Sequence, residues 1–203
     1  MDVAAPNSLP AFGFLTVVED SQHGFFGGYL VLSELGRPLE FHCSTPVLPT
    51  KAQKILYGST LRSYVLGELI GQTLVNKARL PVQAVLTDLE DMLSLGLVWQ
   101  GNLAWVAQVE AARIGCAPFE EVLFDAKAKP TKADSPELEL GKYRLAGSST
   151  CSWSEEKLSK LLAPLASCVD LVEPFERIHE AIQEAQRVTE HSAGEADGNS
   201  AAA

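Results

Sequence analysis

Three segments near the start of the chain, AFGFLTVVED, FFGGYLVLS and LEFHCS, are rich in β-branched, aromatic and leucine residues, and the turn signals DSQHG and ELGRP separate them. The pattern predicts three consecutive antiparallel strands. A tight connection over residues 34–37 would pair Leu32 with Leu39, Val31 with Glu40, Leu30 with Phe41 and Tyr29 with His42. Side chains alternate across a strand. Leu30, Leu32, Leu39, Phe41 and Cys43 then share one face, the predicted core face. Tyr29, Val31, Ser33, Glu40 and His42 share the other.

The spacing changes after two prolines. Ile55, Leu56, Leu61, Tyr64, Val65, Leu69, Leu74 and Ala78 approximate a helical stripe and predict a long central helix. Gly58 should interrupt it and Thr60 cap its longer part. Gly67 and Gly71, four apart, mark a close backbone approach, since each costs about 1 kcal/mol relative to alanine in a helix.

PVQAVLTDLEDMLSLG reads as a strand and a short helix with Asp88 as N-cap. LVWQGNLAWVAQVE reads as a hairpin about Gly101-Asn102, and FEEVLFDAKAK as a further strand. Two C-terminal helices follow. Pro164 should end or kink the first. The second carries the stripe Phe175, Ile178, Ile182 and Ala185.

These elements predict an α+β fold, with a mainly antiparallel sheet from the N-terminal strands and the central and C-terminal helices packed on it. Residues 1–10 read as a flexible leader, 11–188 as a single globular domain, and 189–203 as a disordered acidic tail.

Charge sharpens this picture. The formal net charge is −10. Eight acids from Asp170 onward face only Arg177 and Arg187, so the acidity is concentrated at the C-terminal end. The overall balance disfavours nucleic acid as a partner, because phosphate contact needs cations. No apolar run is long enough to span a bilayer, which takes about 18 residues or more. MDVAAPNSLP has neither the basic nor the apolar part of a secretory signal. A soluble, cytoplasmic protein without membrane contact is expected. Cys43, Cys116, Cys151 and Cys168 lie far apart, without the close spacing of a zinc or redox motif, and read as buried free thiols.

Candidate chemistry is sparse. Glu40 and His42 share a strand face and could act as an acid/base pair or hold a divalent metal, whose presence the sequence leaves open. Cys43 points the other way, which argues against a Cys–His nucleophile. Asp125-Ala-Lys127 resembles the D-x-K half of a PD-(D/E)xK nuclease core. That resemblance implies a metal-holding carboxylate and a lysine that stabilises the hydrolytic transition state. No P-D pair precedes it. The carboxylates of Asp88-Leu-Glu-Asp91 are explained by helix capping. Phe25, Phe26, Trp99 and Trp105 are candidate anchors for a protein partner. With no strong catalytic motif, the chain reads as a non-catalytic protein-interaction or structural module, bound to a protein partner or to its own copies. The alternative is a metal-dependent, nuclease-like hydrolase using Glu40, His42, Asp125 and Lys127.

Overall fold

A computed structural model describes residues 10–109, 137–147 and 155–197, with backbone only for residues 155 and 188–197. The strands are β1 (Ala11–Asp20), β2 (Gly24–Ser33), β3 (Pro38–Cys43), β4 (Ala84–Thr87), β5 (Leu103–Gln108), β6 (Glu137–Leu140) and β7 (Tyr143–Gly147). They form one sheet in the order β3-β2-β1-β4-β5-β7-β6. The first three strands pair antiparallel as expected, but β1–β4 and β4–β5 are parallel. The sheet is therefore mixed, which corrects the mainly antiparallel expectation. A helical crossover leaves β3 and returns the chain beside β1, a connection only a parallel neighbour needs.

The β1–β2 turn is held by Asp20, whose Oδ1 accepts the backbone N–H groups of Gln22 and His23 at 2.9 and 2.7 Å. Tyr29↔His42, Leu30↔Phe41 and Val31↔Glu40 pair as the pattern predicts. A bulge then shifts the register, so that Leu32 meets Pro38 instead of Leu39.

The predicted faces of β3 are reversed in burial. Leu39 and Phe41 are 48 and 40 % exposed, and Cys43 is exposed, whereas Tyr29 and Val31 on the opposite face are fully buried. The reason is position: β3 is an edge strand, and the helical cover of that face stops over β1 and β2. The structure also corrects the reading of Cys43 as a buried thiol; Cys168 is likewise exposed.

Both faces of the sheet are covered, which sequence alternation alone does not reveal. One face carries Phe12, Phe14, Leu30, Leu32, Leu86, Ala104 and Leu145 under two helices, α4 (Glu155–Cys168) and α5 (Glu173–Asp197). Phe14 and Phe175 meet edge to face at 5.6 Å. Phe175, Ile178 and Ile182 of the predicted stripe are buried, and Ile178 and Ile182 close over Gly28, where a Cβ would collide with them. Each such burial contributes about 1.5–3 kcal/mol. Helix α4 continues through Pro164 instead of ending there. Helix α5 runs on to Asp197, into the segment read as tail.

The other face carries Leu15, Val17, Phe25, Tyr29, Val31, Val85 and Leu103. Its cover is not one long helix. It is broken into α1 (Lys51–Tyr57), a 3-10 turn (Gly58–Thr60), α2 (Leu61–Ser63), a π-helical stretch (Tyr64–Gly71) and α3 (Gln72–Lys77). Gly58 ends α1 at φ 52°, a conformation that suits glycine. Gly67 lets the π-helical stretch press against Ser94 and Leu95 of a 3-10 helix, Glu90–Leu97. That 3-10 helix and the turn after it take the place of the first arm of the expected hairpin. Among the described residues no helix is long and apolar enough to cross a membrane.

Candidate functional site

Strand order reverses between β1 and β4: the chain travels outward through β2 and β3 on one side, and through β5 on the other. In open sheets the crevice at the carboxyl ends of strands, at such a reversal, is where ligands bind. The register Phe14↔Leu86 puts the next same-face positions, Thr16 and Asp88, at this crevice. Helix α5 lies above it and contributes His179, one turn beyond Phe175.

Thr16 is fully buried, and its hydroxyl lies 3.3 Å from Nε2 of His179. Asp88 is not a helix cap. The 3-10 helix begins at Glu90 with Leu89 in the cap position, and the backbone N–H of Leu89 donates to Thr87 Oγ1. Asp88 is instead pinned through its main chain, whose carbonyl accepts the Trp105 indole N–H at 3.1 Å. One carboxylate oxygen, Oδ1, is buried without a hydrogen-bond partner among the described residues. Desolvation pushes the Asp88 carboxyl above its ordinary value of 3.8. The Thr16 hydroxyl, its own backbone N–H and His179 pull the other way and only partly offset it. A carboxylate with raised affinity for a proton, an unpaired oxygen and an adjacent imidazole is the arrangement expected where a cation or a proton is to be received.

The pair singled out from the sequence has a different character. His42 Nε2 and Glu40 Oε1 are 2.8 Å apart, as expected of two residues on one face. Glu40 also accepts the backbone N–H of Arg79 at 3.0 and 3.1 Å and that of Leu80 at 3.1 Å. Burial raises the Glu40 carboxyl, but these donors outweigh it and hold the group below 4.5. The bonds from Arg79 and Leu80 tie the end of the helical crossover to the edge strand. Asp125 and Lys127, with the strand read over FEEVLFDAKAK, lie outside the described residues.

The aromatic candidates divide. Phe25 is buried in the core and Trp99 packs half-buried against it. Trp105 positions Asp88. Phe26 lines a cavity of about 360 Å³ beside α5, together with Asp20, His23, Cys43 and Ile182. Among the described residues no three His, Cys, Asp or Glu side chains converge as a preformed metal cage.

Thr16 and His179 were missed because they are 163 residues apart in sequence. Asp88 carried one signal: a carboxylate directly after the buried strand AVLT.

No protein-family model and no curated protein matches the chain. Two solved structures of Ciona intestinalis Endonuclease V align with it. One is in complex with a 24mer DNA containing an inosine followed by a ribo-adenosine. It is 11 % identical, covers 91 % of this chain and 89 % of that one, and has a TM-score of 0.48. The other is a variant with a 23mer DNA of the same kind, at 12 % identity, 91 and 88 % coverage and a TM-score of 0.49.

Two expectations are corrected on this finding: the non-catalytic interaction module, and nucleic acid as a disfavoured partner. Both aligned structures are of Endonuclease V in complex with DNA.

Proposed function

We propose that the chain is a metal-dependent phosphodiester hydrolase, nuclease-like in its chemistry, working at Asp88, His179 and Thr16. The observation that carries this reading is the buried, unpaired Oδ1 of Asp88 at the carboxyl end of β4. Leaving such an atom unsatisfied costs about 1–3 kcal/mol or more for a charged group, a cost that a functional group has reason to bear. The residues fit a magnesium-type ion, which is bound by one or two carboxylates with water and substrate phosphate oxygens completing its shell. Asp88 would hold such an ion, which when bound would supply positive charge to the phosphate oxygens. His179 holds or releases a proton at Nε2. Thr16 orients that nitrogen, and Trp105 fixes the backbone from which the carboxylate projects.

The test is incubation of the purified chain with single- and double-stranded oligonucleotides, DNA and RNA, with magnesium or manganese and with a chelator. Metal-dependent cleavage that Asp88→Asn abolishes is expected. Absence of cleavage on all four substrates, or cleavage unchanged in Asp88→Asn, overturns the reading.

A further inference from the structure

Helix α1 has no buried residue. Ile55 and Leu56 near its end are 71 and 81 % exposed, and Leu48 just before it is 63 % exposed. With Leu97, which matches Leu48, these are the most exposed large apolar side chains among the described residues, and Leu48, Ile55 and Leu56 lie within nine positions of one another. Gly58 ends the helix directly after them, so Ile55 and Leu56 form the exposed tip of α1. Adjacent helix residues point about 100° apart. A groove in a protein reads one helical stripe, at i, i+3, i+4 and i+7; a fluid apolar layer takes both directions at once. Lys51 stands one turn before Ile55 and Lys54 directly before it; both are exposed, with stems long enough to keep their charge above a buried tip.

Charge points the same way. In a chain of net −10, residues 44–83 carry five cations, Lys51, Lys54, Arg62, Lys77 and Arg79, against one acid, Glu68. Arg62 is engaged by Glu19 and Asp91. The remaining four leave this stretch basic, while the acidic C-terminal helix lies on the opposite face of the sheet. An anionic surface would therefore meet the apolar tip of α1 first.

We infer that the exposed tip of α1 is a peripheral contact for an anionic lipid surface, with Ile55, Leu56 and Leu48 entering the interface and Lys51 and Lys54 resting at the headgroups. Neither signal is strong alone, and a short apolar tip with a basic flank is the two-part arrangement that reversible membrane contact requires. This assignment is independent of the chemistry at Asp88.

The test is co-sedimentation of the full chain with vesicles of phosphatidylcholine alone and of phosphatidylcholine with phosphatidylglycerol. Binding to the mixed vesicles only, weakened by salt, is expected. Ile55→Glu with Leu56→Glu, and separately Lys51→Glu with Lys54→Glu, should each reduce binding about tenfold or more. Both variants should keep the parent melting temperature, because the sites are exposed. No vesicle binding by the parent chain, or unchanged binding in both variants, overturns the inference. So does a parent that is dimeric by light scattering and becomes monomeric in the Ile55→Glu, Leu56→Glu variant, because a second copy would then cover the tip.

Discussion

Two carboxylates lie on this sheet in opposite electrostatic states. Glu40 sits on the edge strand, where His42 and the backbone of Arg79 and Leu80 supply its hydrogen bonds, and it is held below its ordinary pKa. Asp88 sits at the sheet centre, keeps one oxygen unpaired, and is held above its ordinary pKa. The first geometry is that of a structural tie, whose acceptor capacity is already used. The second leaves capacity for a ligand at an energetic cost. Proximity of chemical residue types in sequence pointed to Glu40 and His42; unsatisfied capacity in three dimensions points to Asp88.

The largest separation between the two clusters should appear in catalysis. His179→Ala should lower the cleavage rate by about 10²–10⁴, the usual contribution of a positioned acid or base. His42→Ala should leave it within about twofold. Single-turnover rates on the cleaved oligonucleotide check this, and equal losses would erase the distinction.

The next effect concerns which face is core. Phe14→Ala should cost about 3–5 kcal/mol, because Phe14 is fully buried against Phe175. Phe41→Ala, on the exposed side of the edge strand, should cost about 1 kcal/mol or less. Urea melts compare them directly.

A smaller effect has opposite signs at the two carboxylates. Glu40→Ala removes the acceptor for two backbone N–H groups and should destabilise by about 1 kcal/mol. Asp88→Asn removes a charge that burial disfavours and should raise stability at neutral pH by a similar amount, even as it abolishes activity. A lower melting temperature for Asp88→Asn would mean that the carboxylate is satisfied after all.

The subtlest effect is in pH dependence. Because the folded-state pKa of Glu40 is lowered, its stabilisation is present above 4.5 and is lost as pH falls through the folded value. Because that of Asp88 is raised, the folded state holds its proton more tightly, and its contribution declines as pH rises from 3.8 to the folded value. Metal-dependent cleavage should switch on over that same rise, so its acid limb should lie above the ordinary aspartate range. Differences between parent and variant melting curves across acid pH check both signs. The Lys142–Asp170 pair is an internal reference. Burial opposes ionisation there, but Lys142, the Val172 N–H and the Tyr143 hydroxyl draw Asp170 down to about 2, so its stabilisation is lost only in strong acid.

Local pattern determined a good deal. The alternation and turn residues between Phe12 and Cys43 were enough for three antiparallel strands and for the register of β2 with β3 as far as the bulge at Leu32. The stripe Phe175, Ile178 and Ile182 was enough for a helix docked on the sheet, and Gly67 and Gly71 for a close packing contact. These features depend on neighbours within a few residues, where side-chain periodicity reports geometry directly. What lay beyond the sequence was the placement of β4 parallel to β1, which made the sheet mixed and created the crevice. That pairing joins segments about 70 residues apart through backbone hydrogen bonds that any residue can make. The same choice set β3 at the edge, exposed Phe41, and brought Thr16, Asp88 and His179 together from three distant segments. A carboxylate's burial and its missing partner are properties of that assembled neighbourhood, so only the tertiary structure could distinguish Asp88 from the helix cap its local sequence suggests.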